Sequence, residues 1–96
     1  MSLQNIDIQH IATIFTALAN KIRLKALLEI HQSKRPLHIT AVAKALGIEY
    51  AALYRHIKLL EKSGLLVSYD VGRSQVLALQ HGDLIQLLIE TANKIS

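Results

Sequence analysis

The stretch IEYAALYRHIKLLEKSG, residues 48–64, decides the fold because it has the pattern of a helix with two different faces. At about 100° per residue, apolar residues and one histidine fall on one side, and small and basic residues fall on the other. The first side holds Leu53, His56, Ile57 and Leu60, and the second holds Ala51, Arg55, Lys58 and Lys62. The first face is suited to a core, so the second, flanked by two tyrosines, is free to meet a partner.

A short alanine-rich segment, LHITAVAKALGI, precedes this basic helix and ends near Gly47. Glycine readily adopts the left-handed conformation that follows a helix, so Gly47 is expected to close a short helix and Gly64 to close the basic one. A short helix, a tight turn and an amphipathic basic helix together form a helix-turn-helix.

The residues before Pro36 predict two more helices. Apolar residues recur at helical spacing over residues 6–18, and the side chain of Asn20 can cap a second helix. Pro36 ends that second helix, because the residue before a proline disfavours helical geometry. The core stripe predicted for the second helix is Leu24, Leu27, Leu28 and His31.

The pattern changes period after Gly64 and predicts a β-hairpin followed by a last helix. Two apolar runs, residues 65–69 and 75–79, flank a loop at residues 70–74 that contains a glycine. Helical spacing returns over residues 83–95. The predicted fold is mainly α with a two-stranded β-hairpin wing, a winged helix-turn-helix of order α-α-α-α-β-β-α.

Length and composition predict one folded domain over residues 1–96. The chain is 51% hydrophobic and 19% charged, which allows one modest core and interrupts any stretch long enough to span a membrane. It has no cysteine, and its first residues lack the pattern of a signal peptide, so we expect a cytoplasmic protein. Scattered carboxylates, without a nucleophile constellation or a glycine-rich phosphate loop, argue against an enzyme.

The basic charge is concentrated in the middle of the chain. The formal net charge is +4, and residues 21–73 hold ten of the eleven Lys and Arg but four of the seven Asp and Glu. A positive field of this kind attracts polyanions, and nucleic acid is the commonest of these partners.

Three segments resemble the ArsR/SmtB family of transcriptional repressors. FTALANKIRLKALLEI, residues 15–30, resembles the family pattern F-K-A-L-A-D/N-x-x-R-L-x-I-L. VAKALGIEYAALYRHIKLLEKSGLL, residues 42–66, is similar to L-A-x-x-L-G-x-x-x-x-x-V-S-x-H-L-x-x-L-x-x-x-G-L-V, and DVGRSQVLAL resembles the wing. Neighbouring winged-helix families, such as the MarR-like regulators, share the second segment and remain an alternative.

The resemblance implies that the helix over residues 49–63 enters the DNA major groove and that the hairpin tip, residues 70–74, reaches the backbone or the minor groove. The predicted DNA-binding residues are Tyr50, Ala51, Tyr54, Arg55, Lys58, Arg73 and Ser74. The two tyrosines have a second interpretation, packing against the second helix. His56 matches the motif histidine, but it shares the apolar face, which favours a core or hinge histidine over a ligand.

The first and last helices are apolar over wide arcs and need a second surface to bury against. We therefore expect a homodimer, as the family resemblance also implies, with a self-contained monomer as the alternative. The predicted interface residues are Ile8, Ile11, Phe15, Leu84, Leu87, Leu88 and Ile95. A two-fold axis would place the two recognition helices about 34 Å apart, which predicts an inverted-repeat operator.

The metal sites that the family is known for are not matched. Its thiolate site needs Cys-x-Cys where this chain has His38 and Thr40, and a single imidazole cannot build a tetrahedral site. Its other site needs Asp-x-His where the chain reads His81-Gly82-Asp83, and a later ligand where it has Lys94. We therefore predict no metal and no cofactor, and the sequence does not identify an effector.

These expectations combine into a sequence-specific, dimeric, prokaryotic transcriptional regulator, a repressor by resemblance, whose partners are double-stranded DNA and a second copy of the chain. Two alternatives remain. A chromatin-like protein would bind all DNA sequences alike, and a winged helix used for protein contact would bring its basic face to an acidic protein.

Overall fold

The computed structural model describes residues 5–95, and the ends of the predicted domain, residues 1–4 and 96, lie outside this range. The described elements follow the order of a winged helix-turn-helix and confirm the predicted fold, with one short strand in addition. They are α1 (Ile8–Leu18), α2 (Lys21–Ser33), β1 (Leu37–His38), α3 (Ile39–Leu46), α4 (Tyr50–Ser63), β2 (Leu66–Val71), β3 (Ser74–Leu79) and α5 (Gly82–Ile95). None of the described helices is long and apolar enough to cross a bilayer.

Side-chain caps set where the first two helices begin. The carboxylate of Asp7 accepts a hydrogen bond from the backbone N–H of His10 at 3.0 Å, so α1 starts at Ile8, two residues later than predicted. Asn20 caps α2 as predicted, and its Oδ1 accepts from the backbone N–H groups of Ile22 and Arg23 at 2.9 and 3.0 Å. Each cap satisfies donors that the first turn of a helix leaves open.

Replacing the Asn20 cap should weaken the fold measurably. We expect Asn20→Ala to lower the free energy of unfolding by about 1 kcal/mol, because two backbone donors lose their acceptor. The measurement is urea unfolding at one fixed protein concentration. Asn20→Ser keeps a side-chain oxygen and should stay close to the wild type, whereas equal stability of the alanine variant would show that the cap contributes nothing.

The core forms where α2, α3 and α4 meet the inner face of the sheet. Leu53, Ile57 and Leu60 of α4 are fully buried, which confirms the apolar face predicted for this helix. They pack in one cluster with residues of α2, α3 and β3 that include Leu27 and Leu77. Gly47 and Gly64, with φ of 67° and 85°, end α3 and α4 in the left-handed conformation as predicted.

The stripe predicted for α2 is wrong in part. Leu27 is buried, but Leu24 is exposed, and Leu28 and His31 are only half-buried. The residues of α2 that reach the core are Arg23, Ala26, Leu27 and Ile30. Arg23 can share this buried face because its guanidinium finds hydrogen-bond acceptors inside the protein, which a buried charge needs.

The wing is part of a three-stranded antiparallel sheet in the order β1-β3-β2. The added strand β1 pairs Leu37 with Leu77 and His38 with Val76. The hairpin strands extend further toward the turn than predicted. The loop is therefore the two-residue turn Gly72-Arg73 and not residues 70–74. Gly72 has φ of 61°, the positive value that the first position of a type II′ turn requires.

Candidate nucleic-acid interface

The exposed side of α4 carries an aromatic and basic ladder at helical spacing. The rings of Tyr50 and Tyr54 stack with centroids 6.1 Å apart and an interplanar angle of 20°, and the Lys58 ammonium lies 4.9 Å from the Tyr54 ring centre. Tyr50 is 46% exposed, whereas Tyr54 is half-buried against the core. Residues four apart on a helix are neighbours, so the two rings and the cation support one another.

Lys58 is tied to the wing through Glu61. Its Nζ lies 3.7 Å from the Glu61 carboxylate, which also accepts a hydrogen bond from the Ser68 hydroxyl of β2 at 2.8 Å. Desolvation alone would lower the pKa of Lys58, but hydrogen bonding to Tyr54 and the charge of Glu61 outweigh it, so the pKa is raised. The ammonium is therefore charged at neutral pH and is directed along α4.

Arg55 and Ala51 lie together on the exposed face of α4. The Arg55 Nε lies 3.4 Å from the backbone carbonyl oxygen of Ala51, one turn earlier, to which it donates a long hydrogen bond. Both residues are exposed. The guanidinium thus rests over the N-terminal half of the helix, the part that contacts base edges in helix-turn-helix proteins.

The other two predicted DNA-binding residues lie at the tip of the wing. Arg73 is exposed in the two-residue turn, while Ser74 is half-buried. The Ser74 hydroxyl shares a hydrogen bond of 2.9 Å with Nδ1 of His38, next to the start of α3. This bond holds the wing against the helix-turn-helix. His38 carried no signal for this role in the sequence, because its partner lies 36 positions away.

Arg23 was also missed as a functional candidate from the sequence. Arg23 belongs to α2, and its side chain contacts α1 and α4. The side chain is 8% exposed. Its Nε donates to the carbonyl oxygen of Ala17 at 2.6 Å, its Nη2 donates to that of Thr16 at 3.1 Å, and its Nη1 donates to Nδ1 of His56 at 3.0 Å. His56 thus has a satisfied hydrogen bond, as the sequence suggested.

The ring of His56 is held in its neutral form. Burial lowers the pKa of His56 below its ordinary value of 6.5, and the charges of Arg23 and Arg55 lower it further. An arginine can only donate, so Nδ1 must be the unprotonated acceptor and the ring proton must be on Nε2.

An apolar surface covers α1 and α5 on the described part of the chain. Of the seven predicted interface residues, six are exposed, and Leu88 is half-buried against the core. Phe15 and Leu87, for example, are 56% and 57% exposed. An apolar cleft of about 460 Å³ runs between α1, α2 and α5, with Phe15, Leu24 and Leu88 among its walls.

A curated relative agrees with the fold and the motifs. The chain is 35% identical over 80 residues to the HTH-type transcriptional regulator NmtR of Mycobacterium tuberculosis. The resemblance to the ArsR/SmtB family is confirmed. The matched region covers 83% of this chain but 65% of NmtR, so the ArsR/SmtB-like chain spans less than two thirds of that relative. No protein-family model matches the chain.

Solved structures share the winged-helix fold of this ArsR/SmtB-like chain. HlyU from Vibrio cholerae superposes with a TM-score of 0.78 at 20% identity, over 95% of this chain and 97% of HlyU. The homodimeric winged helix-turn-helix DNA-binding domain of Mb0332 from Mycobacterium bovis gives 0.78 at 24% identity, over 91% and 81%. NolR from Sinorhizobium fredii gives 0.77 at 21% identity, over 91% and 84%.

The residues at the positions of the ArsR/SmtB metal sites lie at the wing contact and at the two ends of α5. His38 is bonded to Ser74, Asp83 lies in the first turn of α5, and Lys94 lies in its last turn. Within residues 5–95, no three His, Cys, Asp or Glu side chains come together in a group that could hold a metal ion.

Proposed function

We propose that the protein is a homodimeric transcriptional regulator that binds double-stranded DNA in a sequence-specific way and acts as a repressor. The observation that carries this proposal is the exposed face of α4, which presents Tyr50, Ala51, Arg55 and Lys58 on a helix whose other face is fully buried. A rigid helix with basic and hydroxyl groups on its free side fits the major groove of B-DNA.

Each side chain has a distinct role in this proposal. Arg55, Lys58 and Arg73 neutralise phosphates, and the hydroxyl of Tyr50 donates to a phosphate oxygen. Ala51 is small and exposed, so its methyl group can approach a base edge such as the thymine methyl. The bond from Ser74 to His38 fixes the wing so that Arg73 reaches the backbone beside the groove.

The second half of the proposal is the homodimer. The exposed apolar residues of α1 and α5 support it, because a surface of this kind seldom stays in water. Mb0332, a structural neighbour, is homodimeric. A two-fold axis would pair two α4 helices about 34 Å apart, which suits an inverted repeat with half-sites one helical turn apart.

The proposed DNA binding also indicates the cellular compartment. A bacterial regulator that binds DNA works in the cytoplasm, and we place this protein there. The similarity to NmtR, a transcriptional regulator, supports a regulatory role and not a catalytic one. Arg55 and Lys58 then act as binding groups only.

One observation favours a second candidate function, binding without sequence preference. The N-terminal half of α4 holds Ala51 and Ala52, which offer no side-chain hydrogen bonds to bases. A helix that contacts mainly phosphates binds all sequences with similar affinity.

Selection from a pool of random duplexes at two salt concentrations tests the proposal. We expect the purified protein to retain and enrich an inverted repeat, and its affinity to fall as salt rises because phosphate contacts release counterions. Salt-sensitive binding with no enriched sequence would support the second candidate. Failure to bind at either salt would contradict both and would direct the basic face to an acidic protein.

A further inference from the structure

The recognition helix α4 meets the apolar helix α1 at one buried polar joint. Arg23 of α2 donates to two carbonyl oxygens at the end of α1, those of Thr16 and Ala17, and to Nδ1 of His56 on α4. A single guanidinium therefore joins the C-terminus of α1, the start of α2 and the middle of α4. The guanidinium is planar and rigid, so its three bonds constrain the relative placement of these elements.

We propose that Arg23 and His56 are positioning residues for DNA binding, and that their joint holds α4 in its DNA-binding orientation only while His56 is neutral. This inference rests on the proposed function of α4. Neither residue touches DNA in the proposal. They act by fixing α4 against α1, the helix that also contributes the exposed apolar surface.

The joint requires a neutral His56, because Arg23 and a protonated His56 would both be hydrogen-bond donors. A neutral His56 accepts from Arg23 through Nδ1, but a protonated ring carries a hydrogen on both nitrogens and has no acceptor left. Protonation would also place two cations 3.0 Å apart at the atoms that now form the bond. The bond would be lost and the two groups would repel.

Within residues 5–95, the charges that shift the pKa of His56 disfavour its cation. The charged side chains that act on the ring are Arg23 from α2 and Arg55 from α4, both cations. Lys62 of α4 lines the same cleft as Arg23, and α1 contributes Gln9, Thr13 and Thr16 there. The titratable residues Asp7 and His10 belong to the opposite, N-terminal end of α1.

The direction of the pH effect follows from these contacts. The pKa of His56 is lowered in the folded protein, so the unfolded or rearranged state takes up the proton more readily. The joint is therefore complete above the ordinary pKa of 6.5 and is lost as pH falls through the lowered value. DNA affinity should weaken on acidification, which is the reverse of what added positive charge on exposed histidines would do.

The test compares the pH profile of DNA affinity in the wild type and in His56→Asn. Asparagine carries an oxygen at the δ position, so it can accept from Arg23 without titrating. The probe is a duplex of about 30 base pairs enriched from the random pool, with affinity measured by fluorescence anisotropy from pH 7.5 to 5.5. We expect the wild-type affinity to fall about tenfold on acidification and that of His56→Asn to change less than about twofold.

Three further measurements separate positioning from stability. His31→Asn changes a different histidine of α2, one that donates to Gln86 of α5. This variant should keep the wild-type dependence of DNA affinity on pH. His56→Leu removes the acceptor and should bind weakly at every pH. Circular dichroism at pH 5.5 must show that each protein remains folded, so that a loss of affinity is not a loss of structure.

The results distinguish failure of the positioning role from failure of DNA binding itself. A pH slope in His56→Asn equal to that of the wild type would overturn the inference while leaving the DNA-binding proposal intact. Failure of the wild type to retain any duplex from the random pool would overturn the DNA-binding proposal and this inference with it. A slope that disappears in His56→Asn but survives in His31→Asn supports the positioning role.

Discussion

Leu87→Glu is expected to convert the protein to a monomer that binds its operator about a hundredfold more weakly, or weaker still. Leu87 is 57% exposed on α5, so the substitution leaves the protomer's own core untouched. In a dimer, however, the carboxylate would be buried in an apolar interface, where an unpaired charge is costly. The oligomeric state is measured by light scattering after size exclusion, and the affinity by fluorescence anisotropy.

The loss of affinity follows from the arithmetic of two linked binding events. In a dimer, once one α4 occupies a half-site, the second half-site is reached at a high effective concentration. A monomer loses that advantage although each α4 is unchanged. Phe15→Glu on α1 should have the same effect, because its side chain is 56% exposed and lines the apolar cleft between the same helices.

A matched control isolates the apolar surface from the added charge. Gln86→Glu adds one carboxylate to the same helix, at a side chain whose Oε1 accepts a hydrogen bond from His31 of α2 at 3.0 Å, and it gives up only the exposed bond from Nε2 to Glu90. We expect this variant to remain a dimer and to keep its affinity to within about twofold. A Leu87→Glu protein that stays dimeric would place the interface elsewhere, and a monomer with full affinity would show that one α4 is sufficient.

The fold was predictable from the sequence where local patterns carry it. Leu53, Ile57 and Leu60 repeat at helical spacing, and they are the fully buried residues of α4. Gly47 and Gly64 were correctly placed at helix ends, where the backbone has the positive φ that glycine tolerates. These features need only neighbours within about two turns, which is the range over which residue patterns are informative.

The errors arose where a distant partner decides the structure. Strand β1 has two residues, too few to show any period, and it exists because Leu37 and His38 pair with β3. The hairpin loop was predicted three residues too long, because Asp70, Val71 and Ser74 belong to the paired strands. Tertiary pairing extends strands beyond what their own residues indicate.

The candidate site shows the same division between local and distant determinants. The basic face of α4 was visible in the spacing of Ala51, Arg55 and Lys58. The joint between Arg23 and His56 was not, since a charged residue on a helix is normally assigned to the surface. The burial of Arg23 depends on carbonyl groups at the end of α1 and on the ring of His56, 33 positions away. Only the folded chain brings these atoms together.

The double substitution Arg55→Ala with Arg73→Ala is expected to lower operator affinity at least about a hundredfold near physiological salt and to reduce the slope of log affinity against log salt by about 4, because the dimer carries each substitution twice. Each side chain is exposed, one on α4 and the other at the tip of the wing, so the fold should not change. A dimer in which both protomers lack these two arginines loses about four phosphate contacts and releases about four fewer counterions, which the slope measures. Binding isotherms at four or more salt concentrations give both quantities.

The slope distinguishes specific phosphate contact from general attraction to a basic protein. Arg35→Ala removes the same charge at the other end of the sheet, where Arg35 lines a cleft with Leu79 and Gln86. That control should leave the slope unchanged, because a charge that touches no phosphate displaces no condensed counterion. If Arg35→Ala and the double variant changed the slope equally per charge, the positive field as a whole would account for binding. An unchanged affinity and slope in the double variant would remove Arg55 and Arg73 from the interface and leave Lys58 and Tyr50 as the remaining candidates for phosphate contact.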